Sequence, residues 1–349
     1  MQYSVPCKSI SCLLFLRFVR GDMICRYIYA TALLFFNTSS VTAFSNALFQ
    51  ETPSQQITAP SKTDGVDIEL PDFDELFERI RKISPLANCV IHQQQQGDSN
   101  PRRGFAAAES CTEKLRWKTI EERKDRLVHQ IQKIDNFQGL PAPLVRFRSS
   151  LSGPCVGECF ANFIMDIDER KKWDSQIEQV YEAYPIHDLD AANIAMGFGR
   201  YGDCSRLGIG YCQTKANLGI SPREQLILCG IQNFSDGSCI VWGTEMEEWH
   251  NHLFPPGERH TRAKSHIFST TLTPTSENSF DVEYALQLEV GGKLPTWCTT
   301  PILVDTIKKM FIHAQGFFGG EHGNLEAYLS EQKRHNCFPA DRQSLLMTP

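Results

Sequence analysis

The chain has 349 residues, 41% of them hydrophobic, which is enough apolar material for one or two domains of ordinary size. Its formal net charge of −6 lacks the basic surplus expected for nucleic-acid binding and disfavours general adhesion to anionic membranes. The 13 cysteines are odd in number, scattered and without a CxxC pair, a pattern typical of a reducing interior rather than of a disulfide scaffold.

Residues 1–43 are predicted to be a targeting segment. After Met23, an alternative start, come the basic Arg26, the apolar run Ile28–Phe36 and the small residues Val41–Ala43, which is the order of a signal peptide. No apolar run in this segment reaches the roughly 18 to 20 residues that a membrane span needs. The segment is therefore interpreted as a leader and not as a transmembrane helix.

Phe44 stands directly after the predicted cleavage point, and residues 44–62 are rich in Ser, Thr and Gln. This arrangement resembles the bipartite plastid-targeting leader of algae with secondary plastids. The resemblance implies a plastid location, with residues 44–70 as a transit-like or flexible linker. An ordinary secretory signal would instead send the chain along the secretory or endomembrane route, and a leader without function would leave it in the cytoplasm.

Two helices are predicted ahead of the main run of strands. Apolar residues at helical spacing from Phe73 to Ile80 predict a short helix, and the polar, breaker-rich stretch Gln93–Gly104 predicts a flexible loop after it. A second helix begins at Ser152-Gly153-Pro154 and buries the face of Phe160 and Phe163.

Strand-like runs separated by turns fill most of residues 177–275. The predicted strands are Ile177–Tyr184, Asn193–Tyr201, Leu207–Thr214, Leu226–Ile231, Cys239–Met246 and a strand from Arg262 to Thr273. Gly197-Phe198-Gly199 is interpreted as a bulge in the second of these strands.

The clearest pattern lies at residues 281–318. Strict alternation over Val282–Leu288 places apolar residues on one face of a half-buried strand and polar residues on the other. Gly291-Gly292 ends this strand, and Pro295 fits the first turn of a helix in which apolar residues recur from Leu303 to Phe317. A sheet that is concave towards such a helix can enclose an apolar space.

Two motifs of this chain resemble START domains, the steroidogenic-acute-regulatory-protein-related lipid-transfer fold. The first motif is formed by Glu289, in place of the usual Asp, and by Gly291, Gly292, Pro295 and Trp297. The second, D-x-x-x-R-x-x-W-D, is formed by Asp166, Arg170, Trp173 and Asp174. The resemblance covers about residues 105–330 and implies an α+β helix-grip fold, in which a curved antiparallel sheet grips a long C-terminal helix and encloses an apolar cavity.

The same resemblance implies three strands between Trp117 and Arg148, where local propensity alone favours a charged helix. It places the loop Asn217–Arg223 beside the C-terminal helix as the cover of a tunnel. Sterol-binding members of the family carry a buried arginine six residues after the loop arginine, and Cys229 stands there in this chain. The ligand therefore stays open among phospholipid, galactolipid, acyl lipid, sterol and pigment.

The sequence shows no P-loop, no G-x-S-x-G elbow and no HExxH spacing. Histidines cluster at four positions: His250, His252, His260 and His266. His250 and His252 flank a Pro-Pro-Gly turn and are interpreted as solvated, so neither a metal nor another cofactor is expected. Charged residues on the polar side of their strands are interpreted as solvated outer groups: Asp203, Glu245, Glu283 and Arg262. The chain is therefore predicted not to be an enzyme.

The predicted function is lipid binding, with non-vesicular lipid transfer, by residues 105–333; a short helix and a disordered loop at 71–104 precede them and a flexible tail at 334–349 follows. The expected partners are a lipid ligand and a transient membrane surface, with no nucleic acid. The predicted ligand-binding wall consists of Ile227, Cys229, Ile231, Trp242, Met246, Tyr284, Leu286, Leu288, Leu303, Ile307, Met310, Phe311 and Ala314. Two alternatives stay open: a cyclase or hydrolase of the same fold that acts on an apolar substrate, and a lipid-sensing interaction module.

Overall fold

The computed structural model describes residues 70–96, 104–108, 115–124, 126–153, 157–186, 189–216, 221–246, 255, 257, 259–292 and 294–319. All of them fall within one compact unit, residues 62–349. The predictions for the leader, for the loop at 217–220, for His250 and His252 and for the C-terminal tail lie outside the described residues.

The described strands form one sheet that is antiparallel except where β8 pairs with β6. The strands are β1 Lys118–Glu122, β2 Val128–Ile134, β3 Leu144–Ser152, β4 Ile177–Pro185, β5 Asp203–Thr214, β6 Arg223–Asn233, β7 Cys239–Glu245, β8 Thr261–Arg262, β9 Lys264–Ser276 and β10 Ser279–Glu289. Their order across the sheet is β1-β2-β3-β10-β9-β7-β6-β5-β4. The pairing of β3 with β10 joins the first three strands to the last one and leaves β1 and β4 as the edges.

Helices cover both faces of this sheet. They are α1 Phe73–Ile83, α2 Pro85–Gln96, α3 Phe105–Ala108, α4 Gly157–Met165, α5 Ile167–Trp173, α6 Leu189–Ala195 and α7 Thr296–Phe318. We call the face that α7 covers the grip face; it includes Val145, Phe147, Val241 and Val282. The opposite, outer face includes Leu144, Ile240, Trp242 and Ala285 and is covered by α1 and α2. No helix in the described part of the chain combines the length and the apolar character needed to cross a membrane.

The three strands predicted before residue 150 and the long helix predicted after Pro295 are confirmed. The strand predicted at Asn193–Tyr201 is wrong, because these residues form the end of α6 and a turn. Gly197, Phe198 and Gly199 have φ angles of 76°, 31° and 71°, and three successive positive values are incompatible with an extended strand or a simple bulge in one. The predicted loop at Gln93–Gly104 also begins too early, because α2 continues to Gln96.

Glu283 was predicted to be solvated, and this prediction is wrong. Its side chain is fully buried beneath the junction of α1 and α2. The carboxylate accepts hydrogen bonds from the Ser84 hydroxyl at 2.7 Å, from the Leu86 backbone N–H at 3.1 Å and from Arg148 Nε at 2.7 Å. It therefore satisfies donors at the start of α2 and ties both helices to the outer face.

We expect Glu283→Gln to lower the free energy of unfolding by about 3 kcal/mol, because it removes the counter-charge next to the buried Arg148 guanidinium. Urea denaturation measures this difference. Glu78→Gln is the control, since Glu78 is half exposed and forms a surface pair with Arg81; its expected cost is below about 1 kcal/mol. Equal losses in the two variants would contradict the tie between Glu283 and the outer helices.

Candidate functional site

Most of the predicted wall lies on the grip face or on the side of α7 that faces it. Ile231 and Tyr284 share one hydrophobic cluster with the predicted α7 residues Leu303, Ile307, Met310, Phe311 and Ala314. Ile227 and Cys229 alternate in step with Ile231 along β6, and Leu286 pairs with Val145 of the grip face. The sheet and α7 therefore bring these side chains together as predicted.

The prediction that Trp242 and Met246 belong to the wall is wrong, because both side chains lie on the outer face of the sheet. The Trp242 ring centroid is 6.0 Å from those of Phe73 and Phe77 on α1. The neighbouring Val241 is the β7 residue that packs in the grip-face cluster. Alternation along β7 could not distinguish the faces, because both are apolar where helices cover them.

Two polar donors of α5 lie at the grip face. Arg170 Nη2 is 3.8 Å from the sulfur of Cys212, which β5 places on the grip face. Arg170 Nε and Trp173 Nε1 are buried, and neither has a hydrogen-bond partner among the described residues. Buried donors are nearly always satisfied, so two of them three residues apart indicate a place for acceptor oxygens. Arg170 is part of a motif in the sequence, but the motif does not predict that its side chain points to the grip face.

Burial shifts the pKa of the acidic groups around Arg170 upward. Burial raises the pKa of both Cys229 and Tyr284 to about 12, so both stay protonated near neutral pH. Burial also raises the pKa of the Asp174 carboxyl, against the opposing effect of Arg170. For Arg170, burial alone lowers the pKa, but nearby Cys212, Asp174 and Tyr284 raise it, and the net shift is upward. A permanent positive charge therefore lies beside an apolar wall.

A narrow gap separates the first half of α7 from the sheet. It has a volume of about 20 Å³ and is lined by Pro143, Leu288, Val290, Thr299, Thr300 and Leu303. This volume holds about one water, whereas ligand pockets measure about 300 to 1,000 Å³. The predicted wall residues Leu288 and Leu303 thus border a gap that is nearly closed.

The helix α7 is held more firmly in its second half than in its first. The Gln315 side chain accepts from the Ser152 N–H at 3.0 Å and donates to the Ser152 carbonyl at 3.3 Å. His313 Nε2 lies 3.1 Å from the Glu169 carboxylate of α5. In the first half, Pro301 lacks the N–H that would continue the helical ladder. This asymmetry makes the first half the weaker part of the cover.

We expect the backbone amides of residues 302–306 to exchange with solvent about tenfold faster, or more, than those of residues 310–318, because fewer tertiary contacts oppose local opening there. Hydrogen exchange followed by mass spectrometry measures both segments in one sample. Pro301→Ala restores the missing donor and should narrow the difference. Uniform exchange along α7 in the unmodified chain would contradict an uneven attachment.

The turn between β10 and α7 has the geometry that its glycines require. Gly291 and Gly292 have φ angles of 75° and 72°, a region that other residues rarely adopt. A Cβ atom at Gly291 would lie 2.5 Å from the Arg262 carbonyl oxygen. Arg223 Nε donates to the Val290 carbonyl at 3.1 Å, and its guanidinium also contacts Ser221. Arg223 therefore holds the end of β10, just before the Gly291-Gly292 turn.

His266 joins three strand ends close to this turn and is buried, with 5% of its surface exposed. Its Nδ1 lies 3.0 Å from Glu245 of β7 and its Nε2 lies 3.3 Å from Glu289 of β10. Only the doubly protonated ring donates to both carboxylates. The bond to Glu245 raises the pKa of His266 against the effect of burial, and Glu289 adds to the rise. Two cations, Arg79 and Lys264, also face Glu245.

Because the pKa of His266 is raised in the folded state, its stabilising contribution is complete below the unfolded-state value of about 6.5 and is lost as pH rises through the folded-state value. We expect the stability advantage of the unmodified chain over His266→Gln to shrink by about 1 kcal/mol between pH 6 and pH 8.5. Urea denaturation of both proteins across this range measures it. A constant difference would show that the ring does not change its charge there.

Two further residues singled out in the sequence lie close to the buried Glu224. Arg262, predicted to be solvated, is 17% exposed and lies 3.3 Å from the buried Glu224, which also accepts from the Tyr211 hydroxyl at 3.1 Å. His260 lies 3.5 Å from the same carboxylate. Asp203 is exposed, as predicted. Among the described residues, no three His, Cys, Asp or Glu side chains converge as a metal site requires.

The fold has solved counterparts despite low sequence identity. Human STARD10 shares 16% identity with this chain over 78% of this chain and 91% of that chain, with a TM-score of 0.50. Human StAR-related lipid transfer protein 5 shares 15% identity over 71% of this chain and 99% of that chain, with a TM-score of 0.46. Neither a protein-family model nor a curated protein matches the sequence. The likeness to STARD10 confirms the START-like helix-grip fold that the two motifs implied.

Proposed function

We propose that this protein binds a lipid between the grip face and α7 and transfers it between membranes without vesicles. The observation that carries the proposal is the pair of buried donors, Arg170 Nε and Trp173 Nε1, at the edge of an otherwise apolar wall. A charged head group and an apolar chain each find a matching surface in this arrangement. A purely polar ligand would match only the first, and a plain hydrocarbon only the second.

The head group that fits is a phosphate or a carboxylate. A guanidinium donates to such oxygens through two bonds of fixed geometry, and the Trp173 N–H adds a third donor. The acyl chain then lies along Ile231 and Leu286 on the grip face and Met310 on α7. Burial of a 16-carbon chain at about 0.8 kcal/mol per methylene supplies roughly 12 kcal/mol before the cost of association is subtracted.

Transfer requires the cover to open, because the gap beneath the first half of α7 has room for about one water. We infer that the first half of α7, together with the loop before Arg223, moves at a membrane surface while Gln315 keeps the second half in place. Ile302, 58% exposed on the outer side of the first half, supplies an apolar contact for that surface. The inward thiol of Cys229 and phenol of Tyr284 are protonated near neutral pH, which favours a carrier over a nucleophilic enzyme.

We expect Arg170→Met to lower the binding of an anionic lipid about tenfold or more, because the hydrogen bonds to a charged group are lost while the apolar wall stays intact. The purified chain is incubated with phosphatidylcholine vesicles that contain a minor fraction of phosphatidic acid, and native mass spectrometry then counts and identifies the bound lipid. The unmodified chain should carry about one lipid per protein.

Arg81→Met is the matched control, because Arg81 lies between α1 and α2 and bonds Asn88 and Glu78 away from the grip face. It should bind lipid as the unmodified chain does. If Arg170→Met binds the anionic lipid as well as the unmodified chain does, Arg170 does not form the head-group site. A chain that takes up no lipid at all would overturn the carrier proposal and favour the interaction-module alternative.

A further inference from the structure

An exposed apolar turn joins α6 to β5. On one side of α6 and the turn, Ala192 and Met196 pack into the outer-face cluster. On the other side, Ile194 is 60% exposed and Phe198, at the apex of the turn, is 73% exposed. No large hydrophobic side chain in the described part of the chain is more exposed than Phe198. Two exposed apolar side chains four positions apart form a small patch, and such patches mark interaction sites.

Phe198 holds a backbone conformation that its residue type disfavours. Its φ angle is 31°, between glycines at 76° and 71°. Glycine adopts positive φ without steric cost, whereas a bulky residue there is strained. A Cβ atom at Gly199 would meet no atom within 4 Å, so the turn stands clear of the rest of the protein. A strained aromatic residue that leaves most of its ring in water adds little to the core, and strain of this kind indicates function.

Both sides of the turn are anchored to the body of the protein. On the α6 side, Asn193 Oδ1 accepts a hydrogen bond from the Cys204 N–H at 2.9 Å. On the β5 side, the Tyr201 hydroxyl donates to Asp74 at 2.6 Å, and the Tyr201 ring stacks on Phe77 with a centroid distance of 4.4 Å. The apex is therefore presented from a fixed base, which lowers the conformational entropy that is lost on binding.

The turn lies at the end of β5 that is farther from the proposed lid. At the near end, the Arg223 N–H donates to the Thr214 hydroxyl at 3.0 Å, and Arg223 also holds Val290 before the turn into α7. At the far end, Asp203 is opposite Asn233. The 12 residues of β5 separate these ends by about 40 Å. The exposed turn and the start of α7 are thus at opposite ends of the sheet.

The charge and the size of the patch indicate what covers it. Residues 189–203 contain a single basic residue, Arg200, which pairs with Asp74 at 2.7 Å, and two exposed acids, Asp190 and Asp203. This balance does not attract an anionic surface. One aromatic side chain buries about 150 to 250 Å², so the patch falls well short of the roughly 800 Å² per partner in a stable protein interface. A lipid bilayer accepts a small apolar apex without a matching shape.

We propose that Phe198 and Ile194 insert into the surface of an uncharged bilayer. This contact goes beyond the proposed function and does not depend on it. Only one consequence rests on the proposed function: a chain whose first half of α7 lies at one membrane presents Phe198 to a second membrane about 40 Å away. The chain then bridges the two membranes between which it transfers lipid.

Hydrogen exchange followed by mass spectrometry tests the contact on the full chain mixed with phosphatidylcholine vesicles. Exchange at residues 194–202 should slow about tenfold when vesicles are added, because an inserted turn is shielded from water. Phe198→Gly should abolish most of this slowing, and Phe198→Trp should keep it, since tryptophan favours membrane interfaces. The urea midpoint of Phe198→Gly should not fall, because glycine adopts positive φ freely.

Ile194→Ser should weaken the slowing, and Ile312→Ser is the matched control, because Ile312 is 63% exposed on α7. No slowing in the unmodified chain, or equal slowing in Phe198→Gly, would overturn the contact. Slowing that appears without vesicles and grows with protein concentration would identify a second copy as the occupant and would also overturn it.

Two further readouts separate this contact from the carrier proposal. Native mass spectrometry should show that Phe198→Gly takes up lipid as the unmodified chain does, so a loss of uptake in the unmodified chain concerns the carrier proposal alone. Light scattering should show that the unmodified chain clusters vesicles and that Phe198→Gly does so about tenfold less. A protected turn without clustering would overturn the bridging of two membranes.

Discussion

The sheet is apolar on both faces, and each face needs a cover to keep it from water. The outer face is covered by α1 and α2, which Glu283 ties to β10 through buried hydrogen bonds and an ion pair. The grip face is covered by α7, a helix attached mainly along its second half. The two covers are therefore attached unequally, and the grip face has the weaker cover.

Buried charge is handled differently on the two faces, and the difference separates structure from function. On the outer face the Glu283 carboxylate accepts from Ser84, Leu86 and Arg148, so its bonding capacity is largely used. On the grip face Arg170 carries a charge beside apolar side chains and keeps a buried donor without a described partner. An incompletely satisfied charge is costly in a core, but it is what a site for an oxygen-rich head group requires.

The sequence predicted best where apolar and polar residues follow one clear period. Along residues 279–318 apolar and polar residues follow the period of a strand and then of a helix, so both elements were predicted close to their observed bounds, although the strand is buried on both faces. β7 is covered on both faces, so its alternation carried no information about direction, and Trp242 was assigned to the wrong side. Arg170 was visible as part of a motif, yet its direction depends on the packing of α5 against β5, a long-range contact that local pattern cannot supply.

The attachment of α7 at both ends restricts how it can open. Arg223 fixes the carbonyl of Val290 before the Gly-Gly turn, and Gln315 fixes the far end of the helix to β3. A rigid swing of the whole helix would break the contacts at one of these ends. Local unwinding between them breaks fewer, and Pro301 already lacks one backbone donor in that stretch. We therefore expect the proposed opening to be a distortion of the first half of α7 above Leu288 and Leu303, where the gap already lies.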